Sequence, residues 1–248
     1  MSKVLVSGGA GYIGSHVTVE LIAAGYEVVV ADNMSNCDMT CFEGVKKITG
    51  REDIPFYQID CCDYASVDKV FTEHKIDAVI HFAASKAVGE SVEKPLMYYR
   101  NNLMSLITLL EQMKAHAIHH LVFSSSCTVY GQPSAEHLPV DESAPIQAAL
   151  SPYGNTKQIN EEIICDQAHS DKSLNATILR YFNPIGAHPS AMIGELPNGV
   201  PQNLLPFVTQ TAAGLRKQLK VYGNDYNTPD GSCIRDYIYV VDLAKAHV

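Results

Sequence analysis

Close to the start of the chain, the apolar run Val4-Leu5-Val6 leads into Ser7-Gly8-Gly9-Ala10-Gly11-Tyr12-Ile13-Gly14 and then into an amphipathic stretch, 16–24. A short strand that turns tightly through glycines into a helix suits one task above others, which is holding a dinucleotide pyrophosphate. Gly11 lets the backbone approach the phosphates, and the helix start offers unpaired N–H groups and the positive end of its dipole. Gly14 is expected to let the helix pack closely on the strand. Glycine clusters alone often mark nothing more than a turn, so the context matters. A second strand pattern, Val28-Val29-Val30-Ala31, ends in Asp32, eighteen residues after Gly14. An acid there accepts hydrogen bonds from the adenosine ribose hydroxyls and repels a 2′-phosphate, which favours NAD over NADP.

The alternation continues downstream. Strand patterns recur at 55–59, 78–82, 120–123 and 176–181, and helical spacing of apolar residues fills 64–74, 92–115 and 153–169. Strands alternating with helices predict an α/β fold, a doubly wound parallel (Rossmann) sheet over residues 1–182 with ligands beyond the carboxyl ends of its strands. From Asn183 onward, Pro184, Pro189, Pro197, Pro201 and Pro206 break the alternation. Residues 183–248 are therefore expected to begin a smaller, incomplete substrate-binding region.

Composition excludes several classes of function. The net charge is −9 with no basic stripe, which argues against nucleic-acid binding. No apolar run is long enough to span a bilayer, and the first strand follows Lys3 directly, so a cytoplasmic protein is expected. Seven cysteines are scattered without zinc-ribbon or redox spacing and read as reduced thiols. His116, His119 and His120 are expected to be surface residues with no carboxylate or cysteine partners nearby, and no metal site is assigned.

Tyr153 and Lys157 stand in Ser151-Pro152-Tyr153-Gly154-Asn155-Thr156-Lys157, where a helix is expected to begin. Their i, i+4 spacing puts both side chains on one face. A free phenol is a poor base at neutral pH, with a pKa near 10. A neighbouring ammonium and the positive charge of an oxidised nicotinamide would pull that value down, so the pair could take a proton from a substrate hydroxyl. Ser124, Ser125 and Ser126 follow the strand at 120–123, and the Ser126 hydroxyl is the candidate to orient the reacting oxygen.

These stretches, together with Lys-Ala-Val-Gly-Glu-Ser (86–91), Ser-Ser-Ser-Cys-Thr-Val-Tyr-Gly (124–131), Leu-Arg-Tyr-Phe-Asn-Pro-Ile-Gly-Ala-His-Pro-Ser (179–190) and Arg-Asp-Tyr-Ile (235–238), run along essentially the whole chain. On them it resembles the extended short-chain dehydrogenase/reductase family, and within it the UDP-sugar 4-epimerase branch. The resemblance implies a tightly bound NAD, interconversion of UDP-glucose and UDP-galactose by transient oxidation at sugar C4, and a homodimer formed through the helices around 92–115 and 153–169. It implies residue roles as well. Gly8, Gly11, Tyr12, Ile13 and Gly14 would line the pyrophosphate; Asp32, Asn33 and Asn36 the adenosine ribose; Asp60 and Cys61 the adenine. Phe82, Ala83, Ala84 and Lys86 would lead to the nicotinamide, with Asn101, Ser124, Tyr153, Lys157 and Phe182 nearby. Lys86, Ser126, Tyr153, Asn183, Asn203, Leu204, Tyr222, Arg235 and Tyr237 would face the UDP-sugar. A guanidinium at Arg235 suits a diphosphate in its own right.

Three departures from the family pattern stand out. Ala84-Ser85 replaces a common Gly-Leu, Cys127 stands where Ala is usual, and family members continue well past Val248. Two other readings share the motifs. A nucleotide-sugar 4,6-dehydratase would need an Asp-Glu pair after Ser126, where this chain has Cys127-Thr128. A non-catalytic NAD-binding fragment or sensor of the same fold would bind cofactor without turning substrate over.

Overall fold

The structure, a computed structural model, describes residues 1–248. Six strands form one parallel sheet: β1 (Lys3–Ser7), β2 (Glu27–Asp32), β3 (Phe56–Gln58), β4 (Ala78–His81), β5 (His120–Ser124) and β6 (Asn175–Leu179), in the order β3-β2-β1-β4-β5-β6. The chain winds outward from β1 to β3, then restarts beside β1 with β4 and winds the other way. Val4 sits in register with Val28 on one side and Ala78 on the other. Such a reversal opens a crevice at the carboxyl ends of β1 and β4.

The side-chain period of two explains why these strands are apolar on nearly every residue. Val4, Val6, Val28, Val30 and Ile80 point to one face, beneath α1 (Tyr12–Ala23) and α2 (Met39–Thr49). Leu5, Val29, Val79, Leu121 and Phe123 point to the other, beneath α3 (Tyr64–Glu73), α5 (Pro95–Ala115) and α6 (Pro152–Ser170). Each buried Val, Leu or Phe contributes roughly 1.5–3 kcal/mol.

Three sequence expectations are corrected. Helix α1 is not amphipathic: Tyr12, Gly14 to Val19 and Leu21 are all buried. It is covered by the sheet, by α2 and by α8 (Val240–Ala246), which returns from the far end of the chain to pack on it. The helix expected over 92–115 is two helices, α4 (Val88–Glu93) and α5, broken at Lys94 (φ −129°, ψ 55°). Pro95 forces that break, because it disfavours the helical region for the residue before it and suits the first helical position itself. Of the three clustered histidines, His116 does have a carboxylate partner, since its Nε2 lies 3.1 Å from Asp68 on α3.

Beyond β6 the texture loosens. β7 (Asn183–Ile185) and β8 (Tyr237–Tyr239) pair in a separate two-stranded parallel sheet, and α7 (Leu204–Ala212) is the one further helix before α8. No helix is long and apolar enough to cross a membrane.

Candidate active site

The glycine turn follows β1 at the crevice. Gly8 adopts φ +75°, and a Cβ there would meet the Ala83 nitrogen at 2.7 Å, so the turn after β1 lies directly against the one after β4. A Cβ on Gly14 would sit 2.2 Å from the Gly8 carbonyl oxygen. The close approach that needs this glycine is thus between helix and turn, where the sequence suggested helix and strand. Gly11 has open space around all but the Gly8 carbonyl, 3.3 Å from its would-be Cβ.

Asp32, at the end of β2, is buried and aligned by backbone. Its Oδ2 accepts from Ala10 N–H at 3.1 Å and its Oδ1 from Met34 N–H at 2.9 Å. The carboxylate keeps further lone pairs for a ligand's hydroxyls. Cys37, half-buried, aims its thiol at the same carboxylate from 3.7 Å. Burial and then the Asp32 charge push that thiol up to about 12, so it stays protonated. Beside this carboxylate, Asn33 and Asn36 are exposed and Cys61 is buried, and Asp60 turns its carboxylate onto the Cys62 N–H at 2.9 Å. A turn in which Gly8 and Gly14 leave no room for a Cβ, a helix N-terminus without a side-chain cap and a buried acceptor at β2 together fit a dinucleotide.

The other half of the edge is built by β5, the turn after it, and α6. Ser151 caps α6, accepting from Gly154 N–H at 3.1 Å, with Pro152 in the first turn. Caps of this kind set where a helix starts, and so where Tyr153 and Lys157 face. Lys157 is 3% exposed and donates from Nζ to the Ser124 carbonyl at 2.6 Å, with its ammonium 4.9 Å above the Phe123 ring and 5.9 Å from the Tyr153 ring centroid. Ser126 caps the 3₁₀ turn Cys127–Tyr130 by accepting from Thr128 N–H at 3.2 Å. That role leaves its hydroxyl proton free to donate.

On its own, the Lys157 ammonium does not pull the Tyr153 phenol down. Burial dominates and pushes Tyr153 up to about 12, with the Ser126 hydroxyl pulling the other way. Burial likewise lowers Lys157 to about 8, against the Glu161 charge. His81, on β4, bonds Ser7 Oγ through Nδ1 at 2.7 Å and is held down to about 3 by burial and by Lys157. At neutral pH the pair therefore stands as a phenol and a largely charged amine.

Between the halves, Phe82, Ala83, Ala84 and Lys86 follow β4, and Asn101 donates to Ser85 Oγ at 3.2 Å. Its neighbour Asn102, which the sequence did not single out, is the buried anchor. It accepts from Ser85 N–H at 2.8 Å, donates to the Ser85 carbonyl at 3.0 Å and donates to Thr156 Oγ1 on α6 at 3.0 Å. Glu195 was missed too. It accepts from Lys86 Nζ at 3.4 Å and from Asn203 Nδ2, and its charge helps burial raise the Tyr12 phenol. Tyr12 itself donates to the Gly186 carbonyl at 2.7 Å, tying α1 to the segment after β7.

The substrate-side candidates are less gathered. Phe182 precedes β7, and Asn183 donates to the Asp236 carbonyl at 2.8 Å. Asn203 and Leu204 open α7, and Tyr237 opens β8. Arg235 is exposed and donates to its neighbour's carbonyl at Ile234, but its charge is felt by Cys127, the residue after Ser126. Tyr222 is 90% exposed on an irregular segment and is not brought to the site.

Comparison with known proteins agrees with this geometry. The model of the NAD dependent epimerase/dehydratase family matches residues 4–248. UDP-glucose 4-epimerase of Bacillus subtilis is 54% identical over 245 residues, which are 99% of this chain and 71% of that protein. The human UDP-glucose 4-epimerase is 52% identical over 256 residues, 99% of this chain and 72% of its own. The crystal structure of UDP-glucose 4-epimerase from Bifidobacterium longum in complex with NAD+ and UDP superimposes with a TM-score of 0.96 at 49% identity, covering 99% of this chain and 72% of that one. The chain belongs to the NAD dependent epimerase/dehydratase family.

Proposed function

We propose that this chain is an NAD-dependent 4-epimerase that interconverts UDP-glucose and UDP-galactose. The observation that carries the reading is the convergence of Ser126, Tyr153 and Lys157 on one side of the crevice whose other side is the glycine turn and Asp32. The close relatives are 4-epimerases at 52–54% identity. The dehydratase alternative loses support at Cys127-Thr128, since a thiol that burial holds protonated and a hydroxyl cannot act as an acid and a base. Nothing favours the non-catalytic alternative.

NAD, when bound, supplies the hydride acceptor and donor at sugar C4. Gly8, Gly11 and Gly14 would hold its pyrophosphate against Tyr12 and Ile13, and Asp32 would take its adenosine ribose hydroxyls. The chain's residues do the rest. Tyr153 takes the 4-hydroxyl proton and later returns it, Ser126 orients the reacting oxygen, and Lys157 stabilises the phenolate through charge. Positive charge at the nicotinamide lowers the Tyr153 pKa from its high resting value, so the base forms when the site is loaded. Residues 1–182 would carry the cofactor, and Asn183, Asn203, Leu204, Arg235 and Tyr237 the sugar nucleotide. A homodimer through α5 and α6 is part of the proposal, supported by exposed Leu96, Met97 and Met104 on α5 and Leu150 just before α6. So is a cytoplasmic location, supported by seven unpaired cysteines.

Incubation of UDP-galactose with this chain and NAD, followed by chromatographic separation, tests the reading. UDP-glucose should form, and Tyr153→Phe should lower the rate by roughly 10²–10⁴-fold. NAD binding with no conversion would favour the non-catalytic alternative.

A further inference from the structure

Glu161 lies one helical turn beyond Lys157 on α6 and is 4% exposed. Its Oε1 accepts from the Ser125 hydroxyl and from Arg180 Nε at 3.1 Å, and its Oε2 accepts from Arg180 Nη2 at 2.7 Å. Ser125 immediately precedes Ser126. Arg180 reaches on to the Tyr130 hydroxyl at 3.3 Å and lies over that ring at 5.1 Å, and Tyr130 closes the turn that Ser126 caps. One carboxylate thus grips the Ser126 turn at both ends. Backbone bonds hold the turn's first residues to the end of β6 and the segment after it, from Ser125 N–H to the Leu179 carbonyl at 2.9 Å and from Cys127 N–H to the Tyr181 carbonyl at 3.1 Å.

We infer that Glu161 is a positioning residue for the reaction, setting the Ser126 turn through Ser125 and Arg180 and keeping the buried Lys157 amine protonated from one turn away. The inference rests on Ser126, Tyr153 and Lys157 being the reaction centre. The charges around the amine leave this role to Glu161. From α6 the amine meets Tyr153, a neutral phenol at rest. From β5 it meets the Ser124 carbonyl and the Phe123 ring, neither of which carries charge. His81 on β4 is neutral, and Tyr181, beside Ser124, is kept protonated by burial. Arg180 is a cation and opposes protonation, although its pairing with Glu161 moderates this. Glu161 is the group that pulls the other way. Ordinary buried ion pairs often do no more for a fold than apolar replacements would. Here the third arm, to Ser125, links the pair to the catalytic turn.

The test is the titration of Lys157, followed by the NMR signal of its labelled Cε and assigned by that signal's loss in Lys157→Met. In Glu161→Gln, which keeps the side chain's size and an acceptor for Ser125, the midpoint should fall by roughly 1 pH unit. In Arg180→Gln it should rise, which keeps the test decisive if Glu161→Gln does not fold. With UDP-galactose, Glu161→Gln should shift the alkaline fall of kcat to lower pH at unchanged KM. Ser125→Ala should lower kcat about tenfold or more with the Lys157 midpoint unmoved. A Lys157 midpoint that stays in place in both charge variants, with only the melting temperature lowered, would overturn the electrostatic role. Unchanged kcat in Ser125→Ala would overturn the positioning role. A wild-type chain that converts no UDP-sugar would refute the proposed reaction, while the Lys157 midpoint would still decide the inference.

Discussion

Around the glycine turn, polar atoms are met by the backbone: Asp32 takes the N–H groups of Ala10 and Met34, and Gly8 and Gly14 let main chain approach main chain. Around Tyr153 they are met by one another and by burial. Lys157, His81 and the Glu161–Arg180 pair sit in the protein with their charged forms either suppressed or paired. The first half is ready for a ligand at little electrostatic cost. The second holds a phenol too weak to act beside a largely charged amine, and an incoming positive charge would bring the phenol's pKa down. Binding and chemistry are thus assigned to opposite sides of one crevice, and stability is given up on the chemical side.

Acid should expose that cost most strongly. His81 charges near pH 6.5 when unfolded but near 3 in the fold, so below pH 6.5 the unfolded chain binds the extra proton. Stability should fall as pH drops through this window, by roughly 3–5 kcal/mol in total. His81→Asn should flatten that slope in urea titrations at successive pH values, whatever packing it loses. An unchanged slope would mean that the chemical half does not carry the cost.

The glycine half should respond to sterics instead. Gly14→Ala forces a Cβ against the Gly8 carbonyl, and should destabilise by roughly 2–3 kcal/mol and abolish nucleotide binding, both visible in thermal melts with and without NAD. Lys157→Met should do the reverse on the other side, inactivating the protein while stabilising its ligand-free form. Its amine falls from 10.5 to about 8 on folding, a cost of about 3 kcal/mol at pH 7, less ~1 kcal/mol for the bond to the Ser124 carbonyl. Between pH 8 and 10.5 the unfolded chain holds the extra proton, so wild-type stability should rise with pH and the advantage of Lys157→Met should vanish.

The smallest effect belongs to a cap. Asp38 accepts from Thr40 N–H at 2.8 Å at the start of α2, and Asp38→Ala should lower the melting temperature slightly, less than any substitution above, without touching the Lys157 titration.

The contrast also explains what could be read from the sequence. The glycine turn, Asp32 and the alternation of strands with helices follow from spacing and period, which are local. Tyr153 and Lys157 were visible for the same reason, four residues apart on one helix. Their pKa values were not, because burial is decided by β4, β5 and α6 together. Glu161 and Arg180 lie on different elements, and Glu195 meets Lys86 across 109 positions. Asn102 carried no signal that set it apart from Asn101, and the facing of consecutive helix residues is settled by packing. The buried circumference of α1 was hidden for a similar reason, since its third cover is α8, more than two hundred residues away.

The most direct measurement is the pKa of Tyr153 itself, from ring-labelled tyrosine NMR with Tyr153→Phe for assignment, taken without and with saturating NAD+. It should titrate near 12 in the ligand-free protein and move to markedly lower pH once the oxidised cofactor is bound. The same value in both states would contradict the division of labour described above.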